Sequence, residues 1–166
     1  MNDPTTPRKI SGSIKRFIRT LGTDENPRFL PFTYSSDKYL PLYCLSNCEA
    51  ENRKTGNQVV FGWVIWELRQ KGFIEAEFHA VMKRGNDFVD ITPRVDGEAK
   101  ILFVPDPNRI AKRVDARTWR SWTNQKSRNG HVTHETQPMN RVDTAGNVKS
   151  HNNRGERTRW DSGGFL

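Results

Sequence analysis

The chain has 166 residues, 34 % of them hydrophobic, and a formal net charge of +8. That length fits one domain with extensions, and the low apolar content confines the core to part of the sequence. Cys44 and Cys48 are too few cysteines for a disulfide scaffold or a four-cysteine zinc site. No stretch reaches the roughly 18 apolar residues of a membrane-spanning helix, and no secretory signal pattern is visible, so a soluble, reduced, cytoplasmic protein is expected.

Charge divides the chain. Residues 1–22 hold five basic and one acidic side chain, residues 23–108 ten and thirteen, and residues 109–166 twelve and five. The basic character therefore belongs to the ends. We read a basic N-terminal amphipathic helix within residues 1–23, a core domain over 24–108, and a basic tail over 109–166.

In the first segment, Ile10, Ile14, Phe17, Ile18 and Leu21 recur at helical spacing and Gly22 can end the helix. The Pro- and aromatic-rich stretch PRFLPFTYSSDKYLPLY reads as mostly irregular. YCLSNCEAENRKTG then predicts a second helix, with basic residues near its end and Gly56 as its stop. Cys44 falls in its first turn, and Cys48, four residues on, lies on nearly the same face.

QVVFGWVIWEL predicts a buried strand and FIEAEFHAVMK an alternating one, followed by the turn RGND and the strands FVDIT and KILFV. Helix followed by strands suggests an α+β fold, with the Cys-bearing helix packed on an antiparallel sheet. Beyond Asn108 a short helix is predicted through IAKRVDARTWRSW. From residue 123 onward the sequence is too polar to repay its ordering entropy and is predicted flexible.

Strand parity supplies the site. Ile74, Ala76, Phe78, Ala80 and Met82 point to one face, and Glu75, Glu77, His79, Val81 and Lys83 to the other. A two- or four-residue loop at RGND sets Val81 opposite Asp90, which puts His79 and Asp90 on one face as diagonal neighbours about 7–8 Å apart at Cβ. A three-residue loop would separate them. A carboxylate that holds an imidazole fixes its tautomer and stabilises its cation. The imidazole can then activate a thiol at a helix N-terminus, provided the helix packs against that face. Cys44, His79 and Asp90 are thus a candidate catalytic set. Donors for an oxyanion would be the Cys44 backbone N–H or the side chain of Asn47 or Gln58.

At Cys44, His79-Ala80-Val81 and Asp90-Ile91-Thr92-Pro93 the sequence resembles the transglutaminase-like, papain-related cysteine enzymes over roughly residues 40–95. The resemblance implies a Cys-bearing helix on an antiparallel sheet, with Cys44 or Cys48 as the nucleophile, His79 as the base and Asp90 as its partner. It also implies a peptide or amide substrate, a protein glutamine among the candidates, and no cofactor. GWVIWE, FIEAEFHAV and VDITPR also resemble a group of small uncharacterised bacterial proteins. Some of those carry a SEC-C zinc motif, which is absent here.

Two other readings stand beside this one. Glu75, Glu77 and His79 at alternate positions, with Asp90 nearby, would suit a divalent metal and a metal-dependent hydrolase. Arg117, Arg120, Lys126, Arg128, Arg154, Arg157 and Arg159, interspersed with Trp119, Trp122 and Trp160, would suit single-stranded nucleic acid.

Overall fold

The computed structural model describes residues 3–142. It is an α+β fold with two helices, α1 (Gly12–Thr20) and α2 (Cys44–Thr55). In chain order the strands are β1 (Arg28–Pro31), β2 (Val59–Leu68), β3 (Phe73–Arg84), β4 (Asp87–Val89), β5 (Lys100–Pro105), β6 (Lys112–Arg113), β7 (Thr118–Trp122), β8 (Gln125–Arg128), β9 (His131–His134) and β10 (Pro138–Val142). The larger sheet runs β1-β5-β2-β3-β8-β9, with β4 also paired to β3, and the smaller runs β10-β7-β6. Every strand pair is antiparallel. Among the described residues no helix is long and apolar enough to cross a membrane.

The alternating pattern of β2 and β3 produces two cores, one on each face of the sheet. On the first face Trp63, Ile65, Ala76, Phe78, Ala80 and Met82 pack against Ile14, Phe17, Ile18 and Leu21 of the α1 region and against Cys44, Leu45 and Cys48 of α2. On the second, Val64, Trp66 and Val81 pack with Leu30, Ile101 and Phe103. Ser11 caps α1 by accepting from the Ile14 N–H at 3.3 Å. Gly56, at φ +74°, ends α2.

The β3–β4 turn decides the parity. Arg84 pairs with Asp87 across Gly85-Asn86, and only Gly85 of the two has positive φ, at +61°. This is the two-residue hairpin with glycine at its first central position. The pairing continues only to Met82↔Val89. Asp90 then leaves the ladder to bridge Phe32, and the Thr33 N–H donates to its carbonyl at 2.8 Å. FVDIT is therefore a shorter strand than its sequence suggests.

β4 and β8 share one edge of β3. β8 covers Phe73–Ala76 and β4 covers Met82–Arg84. From Glu77 to Val81 that edge has no strand partner among the described residues.

Three expectations are corrected. RFLP is not irregular but forms β1, a strand paired with β5. The helix predicted through 110–122 is instead β6 and β7, in which Trp119 and Ser121 alternate inward while Arg120 faces out. The segment 125–142, predicted flexible, carries β8, β9 and β10. Its buried residues include Gln125, Ser127 and Arg141, so its inward-facing row is polar and bonded rather than apolar. The remainder of the predicted tail, from residue 143, lies outside the described residues.

Gly62 sits directly opposite His79 in the β2–β3 ladder. A Cβ there would stand 2.2 Å from the Val104 carbonyl oxygen and 2.9 Å from Pro105 Cα, both backbone atoms. Gly62→Ala is expected to lower stability by about 1–3 kcal/mol through overpacking, read as a lower denaturant midpoint with unchanged slope. An unchanged midpoint would contradict the close approach.

Candidate active site

Three segments meet at the uncovered stretch of β3. The first is the start of α2. Leu42 has φ +70°, a left-handed conformation costly for a branched side chain, and the turn it makes leads through Tyr43 to Cys44 at the first helical position. The Cys44 sulfur lies within electrostatic reach of the His79 ring and of the Ala80 backbone N–H. The body of α2 lies over the Phe78/Ala80/Met82 face. The helix thus packs on the face opposite His79, and Cys44 at its start lies near the His79 ring.

The second segment is β3 itself, and the third is the chain leaving β4. His79 Nε2 bonds Asp90 Oδ1 at 2.9 Å, which leaves Nδ1 for the sulfur. Asp90 Oδ1 also accepts from the Thr92 N–H at 3.4 Å, and Oδ2 takes Arg94 Nη1 at 3.4 Å. Arg94 donates in turn to Asp96 at 2.6 Å and lies over the Trp66 ring. Cys44 and His79 are each 3 % exposed and Asp90 is fully buried. The structure thus brings Cys44, His79 and Asp90 together, with His79 hydrogen-bonded to Asp90 and close enough to Cys44 for each to act on the other's charge.

Burial opposes every charge in this row, and the neighbours override it. Burial pushes the Cys44 thiol up, but His79, Arg141 and the Ala80 N–H bring it below the ordinary cysteine value. Burial pushes His79 down, but Cys44 and Asp90 raise it to about 10. Burial pushes Asp90 up, but His79, Arg94 and the Thr92 N–H hold it below the usual carboxylate range. Both directions favour the proton on the ring over the proton on the sulfur. Cys48 is different: burial raises its thiol well above the ordinary value, and Cys44, Asp90 and Glu51 raise it further.

Asn47 ties α2 to the Asp90 segment. Its Nδ2 donates to the Leu40 carbonyl at 2.8 Å and to Thr92 Oγ1 at 3.2 Å, while its Oδ1 accepts from the Leu40 N–H. Both amide hydrogens are used in bracing, so Asn47 is not placed as an oxyanion donor. Gln58 is exposed beside Lys83, four ladder positions from the Gly62↔His79 pair, and does not reach the site. Arg84 adds a second brace by donating to Glu51 of α2 at 3.3 Å and to Ser35 at 2.6 Å.

Glu75, Glu77, His79 and Asp90 are not brought together as a metal set. Glu75 accepts from Asn124 at 2.9 Å and His79 is held by Asp90. Among the described residues no group of three or more His, Cys, Asp or Glu side chains is placed to hold a metal ion. The indoles proposed for base stacking are also engaged. Trp119 is buried, with its Nε1 on Ser46 at 3.3 Å and the Arg113 guanidinium over its ring, and Trp122 Nε1 donates to the Ile110 carbonyl at 3.1 Å. Arg117, Arg120 and Arg128 are exposed, whereas Arg154, Arg157, Arg159 and Trp160 lie outside the described residues.

Two residues of the site escape sequence reasoning. Arg94 follows Asp90 by four positions in an irregular segment, where no periodicity assigns it a direction. Arg141 belongs to a stretch without an apolar pattern, yet its Nη1 lies 3.8 Å from the Cys44 sulfur and its Nη2 donates to the Leu42 carbonyl. Compared with protein-family models, with curated proteins and with solved structures, the chain matches none.

The ion pair has a direct readout. In a Cys48→Ala background, the ultraviolet absorbance of the Cys44 thiolate is expected to titrate with a midpoint below that of an ordinary cysteine. His79→Ala is expected to move that midpoint above the ordinary value, because burial then dominates. Equal midpoints with and without His79 would show that no ion pair exists.

Proposed function

We propose that this protein cleaves or transfers the acyl group of an amide through a cysteine nucleophile. The carrying observation is Cys44 at the start of α2 beside a histidine that Asp90 bonds at 2.9 Å, with the thiol lowered and the imidazole raised. A Cys at a helix start, packed on an antiparallel sheet that bears His and Asp, also supports a relation to the transglutaminase-like and papain-related enzymes.

In this reading the Cys44 thiolate attacks the amide carbonyl carbon and forms a C–S bond. The developing oxyanion is met by backbone N–H groups of the first turn of α2, that of Cys44 foremost. The intermediate then expels the amine as its C–N bond breaks, and the His79 imidazolium delivers the proton to the departing nitrogen. Water or an acceptor amine attacks the thioester next. His79 takes that proton and the C–S bond breaks, which restores the thiolate. Asp90 keeps the ring oriented and its cation favourable throughout, and Arg94 keeps Asp90 ionised.

The test is a panel of peptidyl and γ-glutamyl anilides, together with incorporation of a labelled amine into protein glutamine. Cys44→Ala and His79→Ala are each expected to lower kcat/KM by about a thousandfold or more, the scale seen when residues acting as a unit are removed. Cys48→Ala is expected to retain activity. Turnover that survives Cys44→Ala would overturn the proposal, as would the absence of any acyl-thioester on Cys44 by mass spectrometry across the panel.

Arg94 gives a pH test. Asp90 faces the cations of His79 and Arg94, with both cysteines nearby. Loss of the Arg94 cation lets burial raise the Asp90 carboxyl, so protonation begins at higher pH. Arg94→Met is expected to shift the acidic limb of the kcat/KM profile upward in pH, with Arg94→Lys restoring part of the shift. A uniform loss at all pH values would assign Arg94 a purely structural role.

A further inference from the structure

The candidate nucleophile is closed off. A thiolate must come within about 3–3.5 Å of a carbonyl carbon to react, yet the whole Cys44 residue is 3 % exposed and its partners are no more open. Arg141 is one of the groups lying against the sulfur. It is 5 % exposed, whereas its neighbour Asn140 is exposed and Val142 is half-buried. Its guanidinium spans the Cys44 sulfur and the Leu42 carbonyl, and so occupies the ground directly in front of the first turn of α2.

The strand that carries Arg141 lies at a sheet edge. Among the described residues β10 forms its ladder with β7, from Pro138↔Trp122 to Val142↔Thr118. Its first residue, proline, has no N–H to donate. The rest of the small sheet is tied to α2 by other means. Arg113 of β6 forms a bidentate pair with Glu49, with contacts of 2.8–3.0 Å, and Trp119 of β7 bonds Ser46. A parting of β10 from β7 would leave these ties of β6 and β7 to the helix in place.

We infer that β10 is an autoinhibitory cover, that Arg141 is the plug it inserts over Cys44, and that substrate enters only when β10 parts from β7. This rests on Cys44 being the nucleophile of the proposed reaction. Its test counts only access to the thiol, so it can fail while the acyl-transfer reading stands, and the reverse also holds.

The experiment is the rate of Cys44 alkylation by iodoacetamide in the full-length chain, in the Cys48→Ala background, divided by the thiolate fraction read from ultraviolet absorbance. Arg141→Ala is expected to raise that corrected rate about tenfold or more, the scale on which one hydrogen bond to a charged group biases a local equilibrium. A second variant clamps the cover without touching Arg141. The facing pair Arg120 and Asn140 is replaced by Arg120→Cys and Asn140→Cys and oxidised. The clamp is expected to slow alkylation of Cys44 at least as strongly, with the rate recovering when the new disulfide is reduced. A corrected rate that is unchanged or lower in Arg141→Ala would overturn the inference and leave Arg141 as a support for the thiolate. Alkylation indifferent to the clamp would show that β10 does not part from β7.

Discussion

The site depends on an interruption. β3 is flanked along one edge by β8 and then by β4, and between them five residues, Glu77 to Val81, lack a strand neighbour on that side among the described residues. A continuous ladder would have used the Ala80 N–H and closed the passage between the two faces of the sheet. In the interruption that N–H turns to a sulfur, and a helix on one face places its first side chain beside a histidine that belongs to the other. The short hairpin ladder is what opens it. β4 pairs for three residues, and Asp90 then departs toward β1.

The charges assembled there are held by mutual compensation. A buried thiolate, imidazolium or carboxylate alone would each be costly by several kcal/mol. From Arg141 through Cys44, His79, Asp90 and Arg94 to Asp96, each group when ionised would face neighbours of opposite sign. Removing one member leaves its neighbours buried without their partner, so the row acts as a unit rather than as a sum of pairs. The neutral braces have a separate task. Asn47 spans from Leu40 to Thr92 and fixes the distance between the nucleophile's helix and the aspartate's segment, independently of any protonation state.

How much of this was legible in the sequence depended on which residues carried the signal. The β3–β4 parity was readable because a two-residue and a four-residue loop at RGND give the same pairing, which aligns His79 with Asp90; the structure has the two-residue turn at Gly85-Asn86. The helix bearing Cys44 was readable from its composition and from Gly56. The face on which it packs was not, because the sulfur meets the imidazole at a strand edge, a geometry that side-chain alternation does not describe. β7, β8 and β10 were lost for another reason. Their inward positions are held largely by Ser121, Gln125, Ser127 and Arg141, whose burial rests on specific bonds rather than on apolar pattern. Arg141, a charged side chain turned inward, reads in sequence as one more basic residue of a solvated tail.

The burial of Cys44 also bears on how long the protein survives. A thiol kept as thiolate is the form that peroxides attack, and its oxidation beyond the sulfenic state is irreversible for most proteins. The electrostatics that would make Cys44 a good nucleophile also make it vulnerable. With the sulfur covered by neighbours that include Arg141, an oxidant meets the thiolate only during the fraction of time the covering opens. Were Cys44 the nucleophile of the proposed reaction, its reactivity and its exposure to chemical ageing would be set by the same opening equilibrium, so neither could be gained without the other.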